Sequence, residues 1–240
     1  MNDKVAQRNK YLIAAAVGAG LFFLGGIIYS IILMIDYGNK KGRTDFENDK
    51  YVMSMLQYLS YVPFMIFAVY FLKDDLVKDF KNFKKNPSKM FIVIVGSFGL
   101  MYVLNIVINI IYQDILNIQG TSENENLIND ILLSNAAIPM IISVCILAPI
   151  SEEILFRKML FGVCEKSFNM PWWLTIVVST LIFSFIHVSD IESLKFIFQY
   201  IPLAAVMCIC YHYTDNNIWA SIILHAINNI LGVIGIYFLY

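Results

Sequence analysis

Charge is what this sequence has least of. Only 15% of its 240 residues are Asp, Glu, Lys or Arg, against 59% hydrophobic residues and a mean hydropathy of +0.67. That composition excludes an ordinary soluble domain. Strict apolar–polar alternation is missing as well, which excludes a membrane barrel. Cysteine is sparse: Cys145, Cys164, Cys208 and Cys210 all fall in apolar runs. They read as small buried side chains, without the paired spacing of a structural zinc site or a disulfide framework. The net charge of −1 points to no nucleic-acid partner.

What the chain has is long apolar runs, and a run of about 17 to 25 residues spans a bilayer. The runs are Tyr11–Ile35, Tyr51–Leu72, Phe91–Tyr112, Ser134–Glu165 (interrupted at Pro149), Trp172–Ser189, Phe196–Tyr213 and Ile218–Tyr240. The expected fold is an all-α polytopic membrane protein of about seven transmembrane helices, in the range of about six to eight. The first run follows Lys4, Arg8 and Lys10 but is too long for a signal peptide and lacks a cleavage site, so it reads as a retained anchor. With the N-terminus cytoplasmic, the inside segments hold Lys4, Arg8, Lys10, Lys73, Lys78, Lys81, Lys84, Lys85, Lys89, Arg157, Lys158 and Lys166. The outside segments hold Lys40, Lys41, Arg43, Lys50 and Lys195, so the positive-inside rule favours this orientation.

Residues 1–133 supply the first three spans and little chemistry. Gly18, Gly20, Gly25 and Gly26 suit close helix approach, and Asn105 and Asn109, one turn apart, suit an interhelical hydrogen bond. Pro63 is tolerable if neighbours satisfy the freed carbonyl. The loop 36–50 has mixed charge and no motif. Lys73–Lys89 reads either as a basic helix on the cytoplasmic face or as a solvated loop. The polar, acidic stretch 120–126 is expected to be a flexible loop, an entry rim at most.

Residues 134–240 differ, because polar side chains recur there inside apolar helices. In Pro149-Ile-Ser-Glu152-Glu153-Ile-Leu-Phe-Arg157, each charge at membrane depth costs about 2.5 to 3.5 kcal/mol, which makes the cluster a candidate site. The plainer alternative is a helix end at the membrane surface. Glu153 and Arg157 are four apart and can pair, while Glu152 lies about 100° round the helix and faces elsewhere. Phe183 precedes His187 by one turn, and His225 shares a face with Asn229. A lone histidine such as His187 is commonly a core residue, but three helices here each bring a group suited to acid–base work. His212, near a helix end, reads as surface. Counted from the cytoplasmic ends, Glu152 is about 20 Å deep, His187 about 22 to 25 Å and His225 about 12 Å. Their convergence needs tilt and a reentrant-like loop.

His-Glu-x-x-His and Gly-x-Ser-x-Gly motifs are absent, as is a pair of membrane aspartates, so zinc-protease, serine and aspartyl chemistries of those types are set aside. The three motifs, Glu152-Glu153-x-x-x-Arg157, Phe183-x-x-x-His187 and His225-x-x-x-Asn229, resemble those of the CAAX prenyl protease and bacteriocin-processing (CPBP, or Abi) family of intramembrane endopeptidases. The resemblance covers residues 134–231. It implies that Glu152 and His187 activate a water, that His225 and Asn229 stabilise the oxyanion, and that Arg157 supports the helix through Glu153, with Phe183 beside them.

The family has also been described as metal-dependent, and a zinc ion would take Glu152, His187 and His225. The metal-free reading is preferred because Asn229 beside His225 suits an oxyanion pair. The implied partners are the bilayer and a membrane-associated peptide or protein substrate, in peptide processing or bacteriocin self-immunity, in a bacterial cell membrane. The competing expectation is a catalytically silent scaffold that binds a membrane-protein partner. A transporter would predict internal repeats, and none is convincing.

Overall fold

The computed structural model describes residues 2–41, 49–188 and 191–239, and among them no strand occurs. The helices are α1 (Asn2–Lys41), α2 (Lys50–Lys85), α3 (Pro87–Ile110, ending in a π turn at Ile111–Ile115), α4 (Glu123–Leu132), α5 (Ala137–Ser167), α6 (Trp172–Ile186), α7 (Ile197–Tyr213) and α8 (Ile218–Leu239). Among the described residues six segments are long and apolar enough to cross a membrane: α1, α2, α3 with its π turn, α5, α7 together with the 3-10 turn Glu192–Phe196 before it, and α8. The protein is therefore an integral membrane protein, as its composition requires. Arg43 of the expected 36–50 loop, Ser189 at the expected end of the fifth run and Tyr240 lie outside the described residues.

The fifth run departs from expectation. α6 has 15 residues, about 22 Å of helix, which is less than the roughly 30 Å hydrocarbon core. It stops at His187 instead of passing through it. Irregular backbone at membrane depth is tolerated where it is buried in protein or lines a polar cavity, and His187 lines one.

α5 also differs, because Pro149 does not interrupt it. The helix passes through Pro149 by widening into a π turn at Ser143–Leu147, with two more at Ile154–Met159 and Val163–Ser167. In the first of these the Ala148 N–H donates to the Ser143 carbonyl, five residues back. The next donor in that register would be Pro149, which has no N–H, so the Val144 carbonyl is left over. Asn229 of α8 supplies the missing donor, its Nδ2 lying 2.9 Å from the Val144 oxygen. A proline in one helix is thus completed by an asparagine in another.

Two sequence expectations about the first half also change. Lys73–Lys85 is neither a separate surface helix nor a loop but the continuation of α2, and Asn86–Pro87 marks the turn into α3. Its buried Asp79 pairs with Lys158 at 2.5 Å and accepts from the Ile218 N–H at 3.3 Å, so it caps the N-terminus of α8 from outside. The 120–126 stretch is not all loop. Ser122 accepts from the Glu125 N–H and opens α4, with Glu123 and Glu125 in the first turn.

α1 lies along α2 and against the last turns of α5, α6 pairs with α7, and α3 covers α7. A Cβ at Gly18 would stand 2.7 Å from Met159 Sδ, and one at Gly162 only 2.1 Å from the Tyr11 ring. Gly18 therefore serves close approach as expected, whereas Gly20 faces open space. The four described cysteines are buried and free.

Candidate active site

Glu153 and Arg157 are fully buried, and Glu153 Oε2 meets Arg157 Nε at 3.2 Å one turn away on the same face. Neither atom makes an aligned hydrogen bond, so the contact is Coulombic. Arg157 also donates to the Ala204 carbonyl of α7 at 3.2 Å and lies 4.7 Å over the Phe183 ring. One guanidinium thereby ties α5 to α6 and α7. Glu153 has a second partner: its Oε1 is 3.0 Å from His225 Nδ1. The carboxylate expected to serve only the arginine also orients an imidazole of α8.

Glu152 points the other way, into a cavity of about 440 Å³. Its Oε2 lies 3.9 Å from His187 Nε2 and 3.9 Å from His225 Nε2. The depths estimated from sequence scattered these three groups, and the structure brings them together around one oxygen. Both distances exceed a direct hydrogen bond. The far side of each ring fixes its tautomer: His187 Nδ1 is 2.8 Å from the Phe183 carbonyl and His225 Nδ1 faces the Glu153 carboxylate. Both partners are acceptors, so each Nδ1 carries a proton and each Nε2 is turned to Glu152.

Phe183 stacks on His187 at 4.4 Å and meets His225 edge-on at 6.2 Å. Asn229 lines the same cavity. One of its amide N–H groups is used on Val144, and its Oδ1 accepts from Asn228. His212 is stacked on Trp172 at 4.5 Å, outside this group.

The first half, which carries none of the three motifs, contributes as well. Tyr61 of α2 donates to Glu152 Oε1 at 3.4 Å and accepts from Gln57 Nε2 at 3.1 Å. Glu125 of α4 also lines the cavity, which contains two carboxylates and no lysine or arginine. Although its side chain reaches solvent at the mouth, the protein crowded around it pushes the Glu125 carboxyl up from its ordinary value by desolvation.

A metal would have to be held by Glu152, His187 and His225. Ligands of a tetrahedral zinc at about 2.0–2.1 Å stand about 3.4 Å apart, closer than the 3.9 Å separations here. Among the described residues no group of three His, Cys, Asp or Glu side chains has metal-binding geometry, so the donor set as it stands does not fit.

A buried Glu flanked by two oriented imidazoles, inside a bundle of apolar helices, is an arrangement suited to acid–base chemistry in a membrane protein. The family of Type II CAAX prenyl endopeptidases, Rce1-like, matches residues 134–231, the span that contains every one of these motif residues; the second half of the chain is similar to that family. The chain is also 26% identical over 210 residues to YdiL of Bacillus subtilis (strain 168), provisionally named a membrane peptidase, covering 86% of this chain and 82% of that protein. No solved structure matches the chain. Together these likenesses support a membrane protease at the level of the family.

Proposed function

We propose that this protein is an intramembrane endopeptidase that hydrolyses peptide bonds of membrane-associated peptides or proteins with a water activated by Glu152 and His187. The observation that carries this reading is the approach of Glu152 Oε2 to 3.9 Å from both Nε2 atoms. That separation suits a water bridging the groups. Glu152 takes one proton from the water while the remaining O–H donates a hydrogen bond to His187 Nε2, and the oxygen attacks the scissile carbonyl carbon. Charge develops on the carbonyl oxygen. His225 is placed to answer it, its ring held at Nδ1 by the Glu153 carboxylate and its Nε2 turned to the cavity, where it donates when it carries a proton. The second amide N–H of Asn229 is the other donor. Glu152 then gives its proton to the leaving amine as the carbon–nitrogen bond breaks. Tyr61 holds Glu152 in place from α2.

The orientation reading is that the N-terminus is cytoplasmic. Its support is that the basic residues expected inside meet at one end of the bundle: Lys10 pairs with Asp75, Lys158 with Asp79, and Lys166 lies over the Tyr11 ring. The cellular role is then peptide processing or bacteriocin self-immunity at a bacterial membrane.

The test is a peptide library read by mass spectrometry with protein in liposomes, comparing wild type with Glu152→Ala, His187→Ala and His225→Ala, with and without chelator. Cleavage lost in all three variants and indifferent to chelator is the expected result. Chelator sensitivity restored by zinc overturns the metal-free mechanism. A biological role indifferent to Glu152→Ala in well-expressed protein favours the silent scaffold instead.

A further inference from the structure

Beside the catalytic cavity lies a second one of about 500 Å³, and the two share Glu125, Tyr200 and Asn228 in their walls. Its remaining polar lining is uncharged and includes Asn105, Asn109 and Gln199. The asparagine pair of α3 therefore opens onto a cavity instead of making the interhelical hydrogen bond its spacing suggests. Neither side chain has a hydrogen-bond partner among the described residues. Amides in an apolar helix are costly to leave unpaired, and a row of them along a groove offers what an extended peptide backbone needs.

Glu125 stands where the two cavities meet. Its ordinary explanation is local: with Ser122 as N-cap and Glu at the third helical position, it completes the pattern of a capping box. Only half of that box is made. Ser122 accepts from the Glu125 N–H, while the carboxylate makes no hydrogen bond or ion pair among the described residues. Across the walls of both cavities the charged residues are Glu125 and Glu152, both acidic, with no lysine or arginine to neutralise them. A low-dielectric cleft of one sign focuses its field on an incoming charge of the other sign.

We propose that the second cavity is a substrate subsite, and that Glu125 selects peptides carrying a lysine or arginine a few residues from the bond to be cut. This rests on the reading of the Glu152 cavity as a peptide-cleaving site and adds the chemical class of peptide that it takes. The amides hold the backbone, and the carboxylate at the junction pairs with the cation.

The test measures binding apart from cleavage. Three matched apolar hexapeptides with a neutral fluorophore, differing only in one lysine, norleucine or glutamate, are titrated against detergent-solubilised protein carrying Glu152→Gln. The expected order is lysine tightest and glutamate weakest, about tenfold apart, with the gap narrowing as salt rises. Adding Glu125→Gln should level the three affinities, and adding Glu125→Lys should invert their order. Glu125 is exposed on the first turn of α4, so an unchanged melting temperature is expected for both. Absence of a lysine preference, or the same preference in all three proteins, overturns the proposal. The same peptides given to protein with an intact Glu152 separate the two readings. A Glu125-dependent preference without cleavage by wild type contradicts the protease and leaves the subsite standing. Cleavage without a preference does the reverse.

Discussion

α3 and α5 are both long apolar helices, and they do different things. The spanning segment containing α3, Pro87–Ile115, has 29 residues, and 17% of its most apolar window is buried. Ala137–Ser167 has 31 residues, with 56% buried. α3 turns Tyr102, Val103, Ile106 and Val107 outward, where lipid replaces protein as the neighbour and one apolar side chain serves about as well as another. α5 carries Glu152, Glu153, Arg157 and Lys158 inside the bundle, and each needs a partner from another helix. Hydrophobicity puts a helix in the membrane, and it is the unsatisfied groups that specify its neighbours.

The largest effect is expected where that difference is most acute. Arg157→Ala leaves Glu153 buried without its cation and should cost about 3–5 kcal/mol, read as a fall in melting temperature in detergent. Stability near wild type would mean that α5 is no more specified than α3. Next, Asn229→Ala strips the Val144 carbonyl of its donor, at about 1–3 kcal/mol. Adding Pro149→Ala returns a backbone N–H to α5 and should recover at least half of the loss. Additive destabilisation in the double variant would show that the proline and the asparagine are unrelated.

Tyr61→Phe removes one hydrogen bond to Glu152, long at 3.4 Å. It should lower kcat/KM by about tenfold with little change in stability. An unchanged kcat/KM would return Tyr61 to packing. The smallest effects belong to the lipid-facing side of α3: Ile106→Leu and Val107→Leu should stay within about 0.5 kcal/mol of wild type.

Much of the second half was legible in sequence because its signals are local or unusual. A Glu and an Arg four apart in an apolar run pair on one helical face, and they do. A polar group in each of three apolar helices has little reason to be there unless the groups meet, and Glu152, His187 and His225 meet. What could not be read depends on partners distant in sequence. Tyr61 lies 91 residues from Glu152, and a tyrosine in a membrane helix carries no mark that separates packing from chemistry. The break expected at Pro149 did not occur because Asn229 supplies its donor from another helix. The helix at 123–132 was more accessible: Ser122-x-x-Glu125 ahead of Leu127, Ile128, Ile131 and Leu132 is a capping pattern before an apolar run, obscured by the polarity around it.

The central claim, that Glu152 is the base of a hydrolytic centre, is tested most directly by the rate of cleavage of a single peptide by wild type and Glu152→Gln in proteoliposomes. Glutamine keeps the size and hydrogen-bonding reach of the side chain but cannot take a proton from water. The account predicts a fall in kcat of at least about 100-fold with an unchanged melting temperature. A variant that cleaves as fast as wild type would contradict it.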